Sequence, residues 1–234
     1  MKNGENQSRS LGIQTKKIFG EYLNDVNINE ICFNGDGSIW TQDFKSIWTE
    51  HKRDISYDEM MAFAVPVASH KEDTLKGSKP ILSASLNDGE RVQIVIPPVT
   101  KKGRLSITIR KPSKTRYTLE DYDKQGIFKK IIQNKDKHLT NEEVNLRALF
   151  DKGEFKDFLI EAVKMGKNIV IAGATGSGKT TFMKSLIDFI PVDERLITIE
   201  DTEEIAFHSH KNFVQLFYPS EAKEGDPVTR AILL

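Results

Sequence analysis

The chain of 234 residues contains one cysteine, Cys32. A lone thiol excludes an internal disulfide and fits a reducing compartment. Its place within the apolar run Ile31-Cys32-Phe33 predicts an inert buried side chain. Net charge is also missing, because 34 Lys and Arg balance 34 Asp and Glu. No bulk attraction to nucleic acid is therefore expected, and no direct nucleic-acid site is evident. No apolar run approaches the roughly 18 residues of a membrane-crossing helix. The polar stretch Met1 to Ser10 has no apolar core of the kind a signal peptide needs. Any membrane contact is accordingly read as peripheral. The five histidines (His51, His70, His138, His208 and His210) show no metal-ligand spacing. Lys16-Lys17 and Lys129-Lys130 read as solvated faces, Trp40 and Trp48 as core or interface aromatics. No internal repeat is visible.

What is present is the apolar content of a globular protein, 38% of residues, in a chain long enough for one large domain or two ordinary ones. Residues 1–12 read as a polar tail. The stripe Ile18, Phe19, Tyr22, Leu23 and Val26 predicts a helix over 13–26. Two short strands flank the turn Asn34-Gly35-Asp36-Gly37, and Ile47-Trp48-Thr49 supplies a third. Ser56 and Glu59 form a capping box that opens a helix to about Ser69, which Pro66 should kink or break. Residues 111–126 are charged, contain Pro112 and lack periodicity, so they read as a linker. Thr140 with Glu143 opens a helix to Phe150, and a further helix over 154–165 ends at Gly166. The expected division is a tail (1–12), an α+β domain (13–115), a linker (116–126) and a P-loop α/β domain (127–234).

That last assignment rests on Gly173-Ala174-Thr175-Gly176-Ser177-Gly178-Lys179-Thr180, the pattern G-x-x-x-x-G-K-[ST]. The glycines let the backbone close on a phosphate chain and aim N–H groups at it. Lys179 would reach the β- and γ-phosphates of ATP, and the Thr180 hydroxyl would ligate Mg²⁺. Thr181 follows in the same binding turn. The apolar, β-branched run Asn168-Ile169-Val170-Ile171-Ala172 predicts a buried strand entering the loop. Phe182, Ser185, Leu186 and Phe189 predict a helix leaving it, stopped by Pro191.

Two further groupings carry chemistry. Arg195 to Ile199 reads as a second buried strand ending in Glu200-Asp201-Thr202-Glu203-Glu204. Carboxylates at the C-terminal end of a strand in an open α/β sheet stand where ligands bind, and phosphoryl transfer to water needs one to orient the water. The apolar run with Glu200-Asp201 resembles a generic Walker B element. Residues 90–110 read as a β-hairpin. A turn centred between Thr100 and Lys101 pairs residues whose numbers sum to 201, which sets Arg91 opposite Arg110. Opposed like charges are unfavourable, and a bridging phosphate would explain them. Both arginines are expected to act as arginine fingers in the same subunit.

Several stretches together resemble the VirB-type traffic ATPases of type IV secretion systems, in the secretion ATPase superfamily. They are Asn29 to Gly35, Gly89 to Ile94, Ser106 to Ser113, Gly166 to Ile169, Gly173 to Thr181, and Ile199 to Glu204. The threonine of Glu200-Asp201-Thr202 favours this branch over type II and pilus-retraction relatives, which usually carry proline there. The resemblance implies a PAS-like α+β N-terminal domain before a RecA-like P-loop NTPase domain, with ATP between them. It implies a homo-oligomer, a hexameric ring when full length, that is cytoplasmic, peripheral to the inner membrane and engaged with other type IV secretion components. It makes Glu204 the catalytic glutamate of an acidic "Asp box", supported by Glu200, and makes Arg91 and Arg110 phosphate-reaching arginines. It also implies a longer chain, with the Walker B strand, a histidine box and the rest of the RecA-like sheet after Leu234. The chain is thus read as C-terminally truncated, its ATPase domain incomplete. The alternatives are a catalytically incomplete nucleotide-binding or assembly subunit and a small-molecule P-loop kinase. The large N-terminal domain and the acidic segment argue against the kinase.

Overall fold

The structure, a computed structural model, describes residues 2–112, 118–130, 139–223 and 225–233, with side chains from residue 9 onward except that of Lys130. Residues 113–117 of the expected linker, His138 and the terminal Leu234 lie outside the described residues. The chain divides into two compact units, Met1–Pro112 with Val192–Leu234, and Ser113–Pro191.

The larger unit is built on a six-stranded antiparallel sheet. Its strands are β1 (Ile28–Phe33), β2 (Ile39–Asp43), β3 (Trp48–His51), β4 (Ile81–Ser85), β5 (Arg91–Val95) and β6 (Ser106–Arg110). They run in the spatial order β3-β2-β1-β6-β5-β4. Alternation decides which face is covered. Val92 and Ile94 of β5 and Ile107 and Ile109 of β6 join a core completed by Phe19, Met60 and Phe63. The last three come from helices α1 (Lys2–Asn24) and α2 (Tyr57–His70), which pack on each other, with Phe19 edge-on to Phe63 at 5.0 Å. The expected hairpin register holds at every pair, from Arg91 opposite Arg110 to Val95 opposite Ser106. Cys32 is fully buried, and burial pushes its thiol up to about 12.

Several expectations in this unit are corrected. Residues 2–12 are helical, and Leu11 is buried in the core, which anchors the turn that composition alone assigned to a tail. Of the kink or break expected at Pro66, the break does not occur: α2 runs through it, with Phe63, Ala64, Val67 and Ala68 on both sides buried and holding the helix together. Val26 is exposed beyond the helix end.

Residues 192–234 contribute a two-stranded parallel sheet, β7 (Leu196–Glu200) with β8 (Phe213–Phe217), and a final turn of helix. β7 is half-buried rather than buried. Val214 and Leu216 of β8 cluster with Val95 and Val99, and Phe217 N–H donates to Val99 O at 2.7 Å. The sequence division grouped 192–234 with the P-loop; these contacts group it with the large sheet.

The smaller unit holds α3 (Leu119–Lys124), α4 (Asn141–Asp151), α5 (Phe155–Lys164) and α6 (Lys179–Ile187). Capping boxes start α3 at Thr118 and α4 at Thr140. Part of the expected linker is therefore helical. Gly166, at φ 63°, closes α5 with bonds from Gly166 N–H to Val163 O and Lys167 N–H to Ala162 O. Residues 168–172 are not a strand, and Val170 is 91% exposed. A strand exists only as part of a ladder, and among the described residues none pairs with this run.

Candidate functional site

The P-loop lies within the smaller unit. Its turn is closed by Ser177 N–H donating to Ala174 O at 3.2 Å. Gly176 and Gly178 take φ values of 78° and 85°, open to glycine and costly to other residues. A Cβ at Gly173 would stand 2.5 Å from Ser177 Oγ, so a side chain there would require the Ser177 hydroxyl to rotate away. Gly178 is the N-cap of α6 and gives it no side-chain cap. The first amides of α6 thus lack a side-chain acceptor, the arrangement that accepts a phosphate. Lys179 Nζ donates to Ala174 O at 2.8 Å, which holds the ammonium over the loop. The residues present fit a nucleotide phosphate chain. Lys179 and Thr180 also border a cavity of about 490 Å³ whose walls include Ile169, Ile171, Met183 and Leu186.

The acidic segment lies in the larger unit. Glu200, only 8% exposed at the end of β7, is fully engaged. Its Oε1 accepts from Thr198 Oγ1 at 2.6 Å and Gln215 Nε2 at 3.2 Å. Its Oε2 accepts from the N–H groups of Glu204 at 2.8 Å and Ile205 at 3.0 Å. Burial pushes the Glu200 carboxyl up, but these four bonds outweigh it and hold the group below its ordinary value. A carboxylate offers about four acceptor positions, so none is left for a metal-bound water. Glu200 therefore folds the segment, and the generic Walker B reading of this residue does not fit its surroundings. Glu203 is paired with Lys101 at 2.5 Å. Glu204 is exposed.

The arginine pair is exposed and sits in the same unit, on the sheet face opposite α1 and α2. The register continues past it: Glu30 of β1 stands opposite Arg110. Arg110 thus has a cation on one side and an anion on the other, which relieves part of the repulsion.

Sequence reasoning missed the residues that fasten this arrangement. Arg195 Nη2 donates to Asn34 Oδ1 at 3.2 Å and Thr108 Oγ1 at 3.3 Å, while Nη1 lies 3.8 Å from Glu30 Oε1. Asn34 Nδ2 donates to Asn212 Oδ1 at 2.8 Å. Gln215 carried a readable signal, since it is the one amide in the apolar run of β8. His208 and His210 lie outside any strand, and no metal-holding cluster occurs among the described residues.

A family model described as "Type II/IV secretion system protein" matches residues 75–232. The chain is 46% identical over 216 residues to the type IV secretion system protein VirB11 of Brucella suis, covering 91% of this chain and 59% of that protein. It is 36% identical over 228 residues to VirB11 of Bartonella quintana, covering 93% of this chain and 64% of that one. The PtlH protein of Bordetella pertussis is 35% identical over 204 residues, covering 86% of this chain. The crystal structure of the Brucella suis VirB11 ATPase with sulphate superposes with a TM-score of 0.87 at 40% identity, over 100% of this chain and 67% of that one. The chain thus spans about three fifths of the length of the Brucella relatives it matches.

Proposed function

Because the chain belongs to the type II/IV secretion system protein family, we propose that it binds and hydrolyses ATP to energise a type IV secretion system. The observation that carries this reading is the P-loop at the uncapped start of α6, with the Lys179 ammonium resting on a loop carbonyl. A phosphate chain replaces that carbonyl as the partner of Lys179, and the amides of 173–181 cradle it. Thr180 would hold Mg²⁺, which when bound neutralises charge on the transferring phosphoryl group. Glu204 orients the attacking water, and Glu200 supports it by shaping the segment. Arg91 and Arg110 stabilise the charge that develops in the transition state. The same reading takes the P-loop domain as RecA-like and the N-terminal α+β domain as PAS-like; the match to the secretion family over residues 75–232 supports the ATPase part. The reading extends to a hexameric homo-oligomer that works with other secretion components at the cytoplasmic face of the inner membrane, and the likeness to type IV secretion proteins is what supports it.

A second reading is a subunit that binds nucleotide without turning it over. It is favoured by residues 168–172, which find no ladder partner among the described residues although they lead into the P-loop. Mg-ATP binding and hydrolysis, measured side by side on the chain and on Lys179→Ala, separate the two. The first reading expects binding and turnover, both lost in the variant. Binding without turnover selects the second, and no binding in the parent chain rejects both.

A further inference from the structure

Gln215 is buried on β8 and stands directly opposite Thr198 of β7. Its Nε2 donates at once to Glu200 Oε1 at 3.2 Å and to Ile205 O at 2.9 Å. The Glu200 carboxylate in turn receives the backbone N–H groups of Glu204 and Ile205. The chain after β7 is therefore folded back and held at both ends by one amide on a different strand. Turning these two N–H groups inward fixes the backbone from which the Glu204 side chain leaves.

We propose that Gln215 is a positioning residue for Glu204, acting through the Glu200 carboxylate and the Ile205 carbonyl. This rests on the reading of the chain as an ATP-hydrolysing protein with Glu204 at the water. Gln215 touches neither nucleotide nor water. Its effect is geometric: it supplies the N–H groups that keep the carboxylate of Glu200 turned toward residues 204 and 205. Thr198 makes the companion bond to the same oxygen of Glu200, so the two residues should act in the same direction. Neither belongs to the P-loop, so nucleotide affinity should be insensitive to both.

The test uses the full chain, Gln215→Met, which keeps the volume and removes both donated bonds, and Thr198→Val, which removes one hydroxyl. Three quantities are read: amide exchange at Glu204 and Ile205, ATP affinity, and kcat against KM. The expected result is loss of protection at those two amides, unchanged ATP affinity, and a kcat lower by roughly 10- to 100-fold with KM within about threefold, as for misplacement of a reacting group by about 1 Å. Thr198→Val should show a smaller loss of the same form. Retained protection in Gln215→Met would show that the amide does not hold the segment. Lost protection with unchanged kcat would show that the segment's shape does not place the catalytic group. Either result overturns the assignment while parent turnover remains. A parent chain that binds ATP without turnover fails the hydrolysis reading itself, and the role of Gln215 falls with it.

Discussion

Arg91 and Arg110 face each other across two neighbouring strands with both side chains exposed. Such a pair costs a few tenths of a kcal/mol to about 1 kcal/mol relative to a neutral pair. Glu30 beside Arg110 offsets part of that. If the pair exists to meet phosphates, stability and function should respond oppositely to its removal. Arg91→Gln keeps the stem and drops the charge, so the unfolding free energy in urea should be unchanged or higher by up to about 0.5 kcal/mol. Turnover should fall by roughly 10²-fold or more, since a transition-state arginine contributes about that or greater. A variant that gains stability and keeps full turnover would mean the arginines serve neither fold nor reaction. The register behind this argument was legible because β5 and β6 alternate so regularly that a shift by one residue would turn Val92, Ile94, Ile107 and Ile109 to the wrong face.

At the scale of elements, α2 shows burial overriding local preference. Pro66 removes one backbone bond and crowds the preceding turn, yet the helix is continuous from Tyr57 to His70. The reason is the stripe Met60, Phe63, Ala64, Val67 and Ala68, all packed into the core. The proline side chain is only half-buried, so little packing depends on it. Pro66→Ala should therefore stabilise the chain by about 1–3 kcal/mol, the helix-interior penalty less the lost ring contacts. A chemical denaturation curve with unchanged slope and a higher midpoint would record it; a lower midpoint would mean the ring packs better than its exposure implies. The capping boxes at Ser56 and Thr140 and the glycine stop at 166 were legible because their chemistry is local. β4 and β8 were missed and residues 168–172 were overread for one common reason. A five-residue strand is decided by the partner it meets, and partners lie far away in sequence.

The same dependence on distant partners governs the whole molecule. A linear reading assigns the strand after a P-loop helix to the P-loop's own domain. Here β7 and β8 form a separate two-stranded sheet in the same unit as the large one, because Val214 and Leu216 bury against Val95 and Val99 while Arg195 bonds Asn34 and Thr108. The chain consequently crosses between compact units twice, after Pro112 and after Pro191, and the P-loop sits alone in Ser113–Pro191. Few of that unit's side chains are buried: Ala162 is the one buried residue in its described helices. Its stability should therefore depend strongly on what it binds. A ligand that binds only the folded form adds RT ln(1 + [L]/Kd), about 2.7 kcal/mol at a hundredfold excess over Kd. Mg-ATP at that excess should raise the free energy of opening for amides in 139–191 by about this amount. Lys179→Ala should lose the gain at the same ATP concentration, because the ammonium is the charge that meets the phosphates. Exchange measured residue by residue, with and without Mg-ATP, provides the check. A gain of equal size in the variant would place the nucleotide away from Lys179 and remove the foundation of the ATP reading.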